Sequence, residues 1–182
     1  MERQETAKKA EITEQQALQR LAALCASAEH CTGEMEEKMR RWGLEEEVQA
    51  RVIERLVAER FVDDERYCRA FVADKMKYNK WGRRKIEQAL RLKHIPRETS
   101  DAVFDELPEN AFADILRPLL KAKQRTLKVG SDYERRAKLL RFALSRGFSF
   151  DDARACMDVD GLSEESGAPE ESGTPEESEE IY

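Results

Sequence analysis

The stretch DDERYCRAFVADKMKYNKWGRRKIEQALRLKHI, Asp63 to Ile95, decides how this chain is built. Asp63 is placed to cap a helix, its carboxylate accepting the free N–H groups of the first turn. Asp64 and Glu65 then sit at the positive end of the helix dipole. Tyr67, Ala70 and Phe71 recur at helical spacing and predict one buried face. The chain turns through Asn79-Lys80-Trp81-Gly82 and starts a second helix with Ile86, Ala89 and Leu90 as its apolar stripe. Between Arg66 and Arg97 eleven Lys/Arg stand against only Asp74 and Glu87, a local net charge of +9. A basic helical pair lies at the middle of an acidic protein.

The acidity has one source. The 182-residue chain carries −6, but the stretch from Asp158 to Tyr182 holds ten Asp/Glu and no Lys/Arg, so the remainder is +4. A charged fraction of 38% exceeds the ~25% of ordinary domains, which favours many exposed helical faces over one thick globule. The four cysteines (Cys25, Cys31, Cys68, Cys156) form no CxxC pair and no ligand spacing with His30 or His94. Cys68 and Cys156 read as small core residues. The charged N-terminus has no secretory apolar region, and the longest uncharged apolar run, Leu21 to Ala28, is too short to span a bilayer. A soluble, cytoplasmic protein without a membrane partner is expected.

Outward from the centre, the pattern stays helical. Residues 1–12 read as a flexible N-terminus. Thr13-x-x-Gln16 is a capping box before Ala17, Leu18, Leu21, Leu24 and Cys25. Thr32 is placed to cap a helix with Met35, Met39 and Trp42 on its stripe, and Gly43 offers the left-handed C′ position. Val48, Val52, Ile53, Leu56 and Val57 follow. Beyond the centre, Pro96 suits a first helical turn, with Ala102, Val103, Phe104 and Leu107 inside. Residues 109–128 are helical in pattern, but Pro118 is expected to kink or split that helix. Gly130-Ser131 turns, Ser131-x-x-Glu134 caps Leu139, Leu140, Ala143 and Leu144, and Ser149-x-x-Asp152 starts a last helix with Ala153, Cys156 and Met157. No period-2 strand appears. The fold class is all-α.

The helices repeat. Met35, Met39, Gly43 and Leu44 share their offsets with Ile86, Leu90, His94 and Ile95, and again with Leu139, Ala143, Gly147 and Phe148. Three tandem three-helix repeats follow, spanning 13–61, 62–108 and 109–157, and would form an elongated, curved body. Residues 158–182 contain EESGAP-EESGTP-EESEE, a low-complexity acidic run expected to be disordered. It reads as a solubilising appendage or as a competitor of anionic partners for the basic faces.

Catalysis has no support: there is no Gly-rich phosphate loop, HExxH or GxSxG, and capping explains Asp63-Asp64-Glu65 without a metal. No cofactor and no metal site are expected. The basic surface is the stronger signal. Arg84, Gln88 and Arg91 share one exposed helix side, with Lys80 and Arg83 at its start. Arg135, Lys138 and Arg141 step by three in the last repeat, where Arg117 to Arg146 carries ten basic residues against Asp132 and Glu134. These seven are the candidate partner-binding residues, suited to phosphate backbones or an acidic protein groove. Trp81 beside Lys80 and Arg83 could stack on a base or serve as a packing wedge.

Phe61-Val62-Asp63-Asp64-Glu65-Arg66-Tyr67 with Phe71, the spacing Gly82-x-x-x-Ile86-x-x-x-Leu90-x-x-Lys93-x-Ile95, and Arg141-Phe142-Ala143-Leu144-Ser145-Arg146-Gly147-Phe148-Ser149 resemble the signatures of the bacterial RecX regulatory proteins. The resemblance covers about residues 17–157. It implies three tandem three-helix units and a non-enzymatic modulator, usually an inhibitor, that lies in the groove of the RecA–DNA filament and hinders ATP hydrolysis and strand exchange in DNA repair and recombination. The implied partner is the RecA filament, with single- or double-stranded DNA as a further contact, and a monomer is expected. A stand-alone helical nucleic-acid-binding protein that competes for DNA is the alternative. Departures from the family pattern are His94 in place of glycine, Trp42 before Gly43, Pro118, and the acidic tail.

Overall fold

The computed structural model describes residues 12–128 and 131–159. The expectations for residues 1–11, for the turn at Gly130 and for the acidic run from Asp160 lie outside the described residues. Among the described residues there are nine α-helices and no strand, in three consecutive triplets. The first triplet is α1 (Glu14–Ser27), α2 (Thr32–Trp42) and α3 (Glu46–Ala58). The second is α4 (Asp64–Asp74), α5 (Arg83–Leu92) and α6 (Arg97–Asp105). The third is α7 (Ala111–Thr126), α8 (Asp132–Ser145) and α9 (Phe150–Val159).

Each triplet closes its own core. Ala17, Leu21, Met35, Met39, Val52 and Leu56 fill the first; Cys68, Val72, Ile86, Leu90, Val103 and Phe104 the second; Leu116, Leu120, Leu139, Ala143, Phe148 and Cys156 the third. Local sequence starts the helices. Thr13 and Gln16 form the reciprocal capping box, Asp63 accepts from the N–H groups of Glu65 and Arg66, and Ser149 and Asp152 bond each other's backbone N–H. The three C-terminal caps are the repeat made visible. Gly43, His94 and Gly147 all take the left-handed conformation (φ 79°, 60° and 88°). The next N–H in each case, on Leu44, Ile95 and Phe148, reaches back 3.2 Å to the carbonyl of Met39, Leu90 and Ala143. This is the Schellman arrangement, which satisfies carbonyls the helix end leaves free.

Several expectations change. Thr32 does not cap α2: its own N–H donates 2.7 Å to Asp64 Oδ1, so a carboxylate of the second triplet caps a helix of the first. Ala70 and Ala102 are exposed, because the buried faces of their helices centre on Cys68–Val72 and Val103–Phe104. Val57 and Leu144 are exposed as well, lying off the Val52–Leu56 and Leu139–Ala143 lines. Pro118 neither splits nor ends its helix; α7 runs through it, held by Leu116 and Leu120, which are buried on either side. Finally, α4 does not stop cleanly but widens into a π-helical turn, Lys75–Asn79, closed by Lys80 in the left-handed region (φ 55°).

Candidate functional site

The middle helices join the triplets end to end. At the start of α5 the Gly82 N–H donates 2.9 Å to the Arg146 carbonyl, and the Arg84 N–H donates 3.0 Å to the Gly147 carbonyl. Only glycine fits, since a Cβ on Gly82 would lie 2.3 Å from the backbone nitrogen of Phe148. One repeat earlier the same join recurs: a Cβ on Gly33 would lie 2.2 Å from the Lys93 carbonyl oxygen, and the Cys31 thiol donates to that oxygen at 3.6 Å. Each N-terminus therefore docks on the C-terminal cap of the next middle helix, and free N–H groups meet free carbonyls. The first join is locked by Glu34. Its carboxylate pairs with Lys93, accepts 3.2 Å from the Tyr67 hydroxyl and lies 2.7 Å from His30 Nδ1. Burial would raise the Glu34 carboxyl, but the bonds from Lys93 and His30 outweigh it and hold it below the usual carboxylate range. Burial pushes the Tyr67 phenol up to about 12 and the Cys31 and Cys68 thiols up to about 11, so these thiols stay protonated and inert.

On this frame the candidate residues divide. Arg84 and Arg91 are exposed on α5, with Gln88 between them, and neither has a carboxylate partner among the described residues. They line one side of a groove of about 440 Å³ whose other side is Arg97, Ser100 and Asp101 of α6. Arg83 is different. Its Nε donates 2.6 Å to Glu87, its Nη2 donates 3.0 Å to Asp101, and its guanidinium lies 4.6 Å from the Phe104 ring centroid. Arg83 is a clamp between α5 and α6 and has little charge left for a partner.

Lys80 is exposed at the turn before α5. On α8, Arg135 pairs with Asp132, Arg141 donates 3.2 Å to the Ala137 carbonyl, and Lys138 is exposed without an ion pair among the described residues. Trp81 is half-buried with Lys75 and Lys85 ammonium groups 5.5 and 4.8 Å from its ring, which makes it a wedge with its cations already supplied. Sequence patterns miss the Glu34 network, because Glu34 and Lys93 are 59 residues apart and no local motif joins them. They also miss the π turn, which has no periodic signature.

The arrangement can hold anions. Among the described residues no group of three or more metal-ligating side chains occurs, and no helix is long and apolar enough to cross a membrane.

A row of three-helix units joined through their middle helices, with arginines beside a groove that have no carboxylate partner among the described residues, defines a helical-repeat protein. The chain belongs to the RecX family: the RecX first, second and third three-helix domains match residues 17–56, 63–103 and 113–157. It is 30% identical to the regulatory protein RecX of Prosthecochloris aestuarii over 142 residues, 78% of this chain and 91% of that one. It is 31% identical to the regulatory protein RecX of Halorhodospira halophila over 134 residues, 72% and 80% of the two chains. The crystal structure of RecX from Lactobacillus salivarius superposes with a TM-score of 0.76 at 17% identity, covering 82% of this chain and 97% of that one, and so shares the fold. A regulatory role is what these relatives support.

Proposed function

We propose that this chain binds the filament of the RecA recombinase and lowers its ATP hydrolysis and strand exchange. The family resemblance supplies the partner. The observation that carries the residue assignment is the pair Arg84 and Arg91, exposed on one side of the α5–α6 groove and unpaired among the described residues. An arginine without a carboxylate keeps its five donors for an incoming carboxylate or phosphate. In this reading the stacked repeats span neighbouring RecA subunits, with the faces carrying Lys80, Arg84 and Arg91, and then Arg135, Lys138 and Arg141, turned toward filament or DNA. Arg83 contributes by fixing α5 on α6.

RecA ATP hydrolysis on single-stranded DNA, titrated with this protein, tests the proposal. The expected result is inhibition well below one protein per RecA, lost in the double variant Arg84→Glu/Arg91→Glu. No change at any ratio would overturn it. Inhibition that needs enough protein to coat the strand, and that excess DNA relieves, would replace it with competition for DNA.

A further inference from the structure

We propose that the π-helical turn Lys75–Asn79, with Lys80 after it, is a stacking site for single-stranded nucleic acid, in which Tyr78 receives a base and Lys77 and Lys80 hold the flanking phosphates. Tyr78 is 69% exposed, so its ring is open to a ligand. The Lys77 ammonium lies 5.0 Å from its ring centroid. Lys75, Lys77, Lys80 and Lys85 have no carboxylate partner among the described residues, and Asp74 is the only acid between residues 74 and 86. The arginines about two and three turns earlier contrast with this. Arg66 is paired with Glu29, and Arg69 with Glu65 and Glu106. The α4 arginines are neutralised by acids, whereas Lys77 and Lys80 at the π turn have none among the described residues.

The site is also held still. The Trp81 N–H donates 3.1 Å to the Lys75 carbonyl, and Arg146 of the next repeat donates 3.4 Å to the Asn79 carbonyl. Trp81 is half-buried, packed against the second core and covered by two ammonium groups, those of Lys75 and Lys85, whereas Tyr78 is exposed and carries only that of Lys77, which makes Tyr78 the aromatic platform. An exposed ring beside ammonium groups on a held backbone suits a strand whose bases are unstacked, because a duplex offers phosphates but no base face. Ordering such a loop in advance removes part of the cost of binding.

The test uses the full chain without recombinase: fluorescence anisotropy of a labelled oligothymidylate of about 20 nucleotides, against a duplex of the same length. Tyr78→Ala is expected to weaken single-strand binding about ten-fold, the effect of losing one stacked base, while Tyr78→Phe binds as the wild type. The Lys77→Gln/Lys80→Gln variant should reduce the log–log salt slope by about 1.4, the counterions of two phosphates on a single strand. Circular dichroism checks that each variant is folded. Tyr78→Ala binding as tightly as wild type, or a duplex preferred over the single strand, would overturn the assignment. A null result here leaves the RecA proposal standing, and a null ATPase result leaves this one standing.

Discussion

Gly82→Ala asks whether the joins between repeats hold the molecule together. A methyl group there would lie 2.3 Å from Phe148 N and 2.4 Å from both Gly147 C and Gly147 O. All three are backbone atoms in a closed helix cap, so no side chain can rotate away. The start of α5 must withdraw, stretching the bonds from the Gly82 and Arg84 N–H groups to the Arg146 and Gly147 carbonyls, now 2.9 and 3.0 Å. Overpacking costs ~1–3 kcal/mol, and two weakened hydrogen bonds add ~0.5–1.5 kcal/mol each. The expected loss is about 3 kcal/mol. Gly43→Ala is the control, since a methyl group added at Gly43 would meet nothing within 4 Å and only the φ of 79° is unfavourable, worth about 1 kcal/mol. Urea unfolding of both variants, followed by far-UV circular dichroism and tryptophan emission, reads the difference. In a nearest-neighbour array a weakened join also separates the units. Circular dichroism and tryptophan emission should then part, because Trp81 lies beside the join and Trp42 in the first repeat, with no tryptophan in the third. If Gly82→Ala unfolds within about 0.5 kcal/mol of Gly43→Ala, with coincident probes, the end-to-end join carries no special weight.

Glu34→Gln should lower stability by about 1.5–3 kcal/mol at pH 7, the value of hydrogen bonds to a charged group. Because the folded Glu34 carboxyl is depressed, its contribution is present above the unfolded pKa of about 4.3 and is lost as pH falls; chemical denaturation should show wild type and variant converging near pH 3, and a constant gap would refute the assignment. His94→Gly should raise stability by about 0.5–1 kcal/mol, since His94 holds φ 60° without the freedom of glycine; a lower melting temperature would show that the imidazole packs usefully against the first repeat. Arg83→Ala should lower stability by about 1 kcal/mol, discounted because the side chain is 41% exposed. Arg84→Ala should leave it unchanged, and equal effects in thermal melts would erase the distinction between clamp and free arginine.

The helices and their repeat were legible because both are written locally. Capping residues, 3.6-residue stripes and the equivalence of Gly43, His94 and Gly147 need only a few neighbouring positions, and the three left-handed caps follow that equivalence. What the sequence hid depends on tertiary contacts, between repeats and within them. Thr32 reads as an N-cap until Asp64, 32 positions on, is seen to occupy that role. Pro118 reads as a helix breaker because propensity counts the lost hydrogen bond and not the core that grips Leu116 and Leu120. In the candidate surface, Arg83 and Arg84 are adjacent and chemically equal in sequence. Only the fold shows Glu87 and Asp101 closing on one of them.

The joins also explain how α5 tolerates its own first turn. Arg83-Arg84-Lys85 places three cations at the positive end of a helix that has no acid there, an arrangement the helix dipole disfavours. Docking that end on the Arg146 and Gly147 carbonyls sets the negative end of α8 against it, so the two half-charges cancel where the cations lie. Arg83 is further neutralised by Glu87 and Asp101, and Lys85 lies over Trp81. Among the described residues Arg84 has neither an acid partner nor an aromatic ring. The tandem architecture therefore does more than extend the body: contact with the third repeat lets the second carry an open arginine at a position where an isolated helix would favour an acid. Detaching α8 from α5 should accordingly weaken the proposed binding face along with the fold, which would tie that face to the integrity of the repeat array.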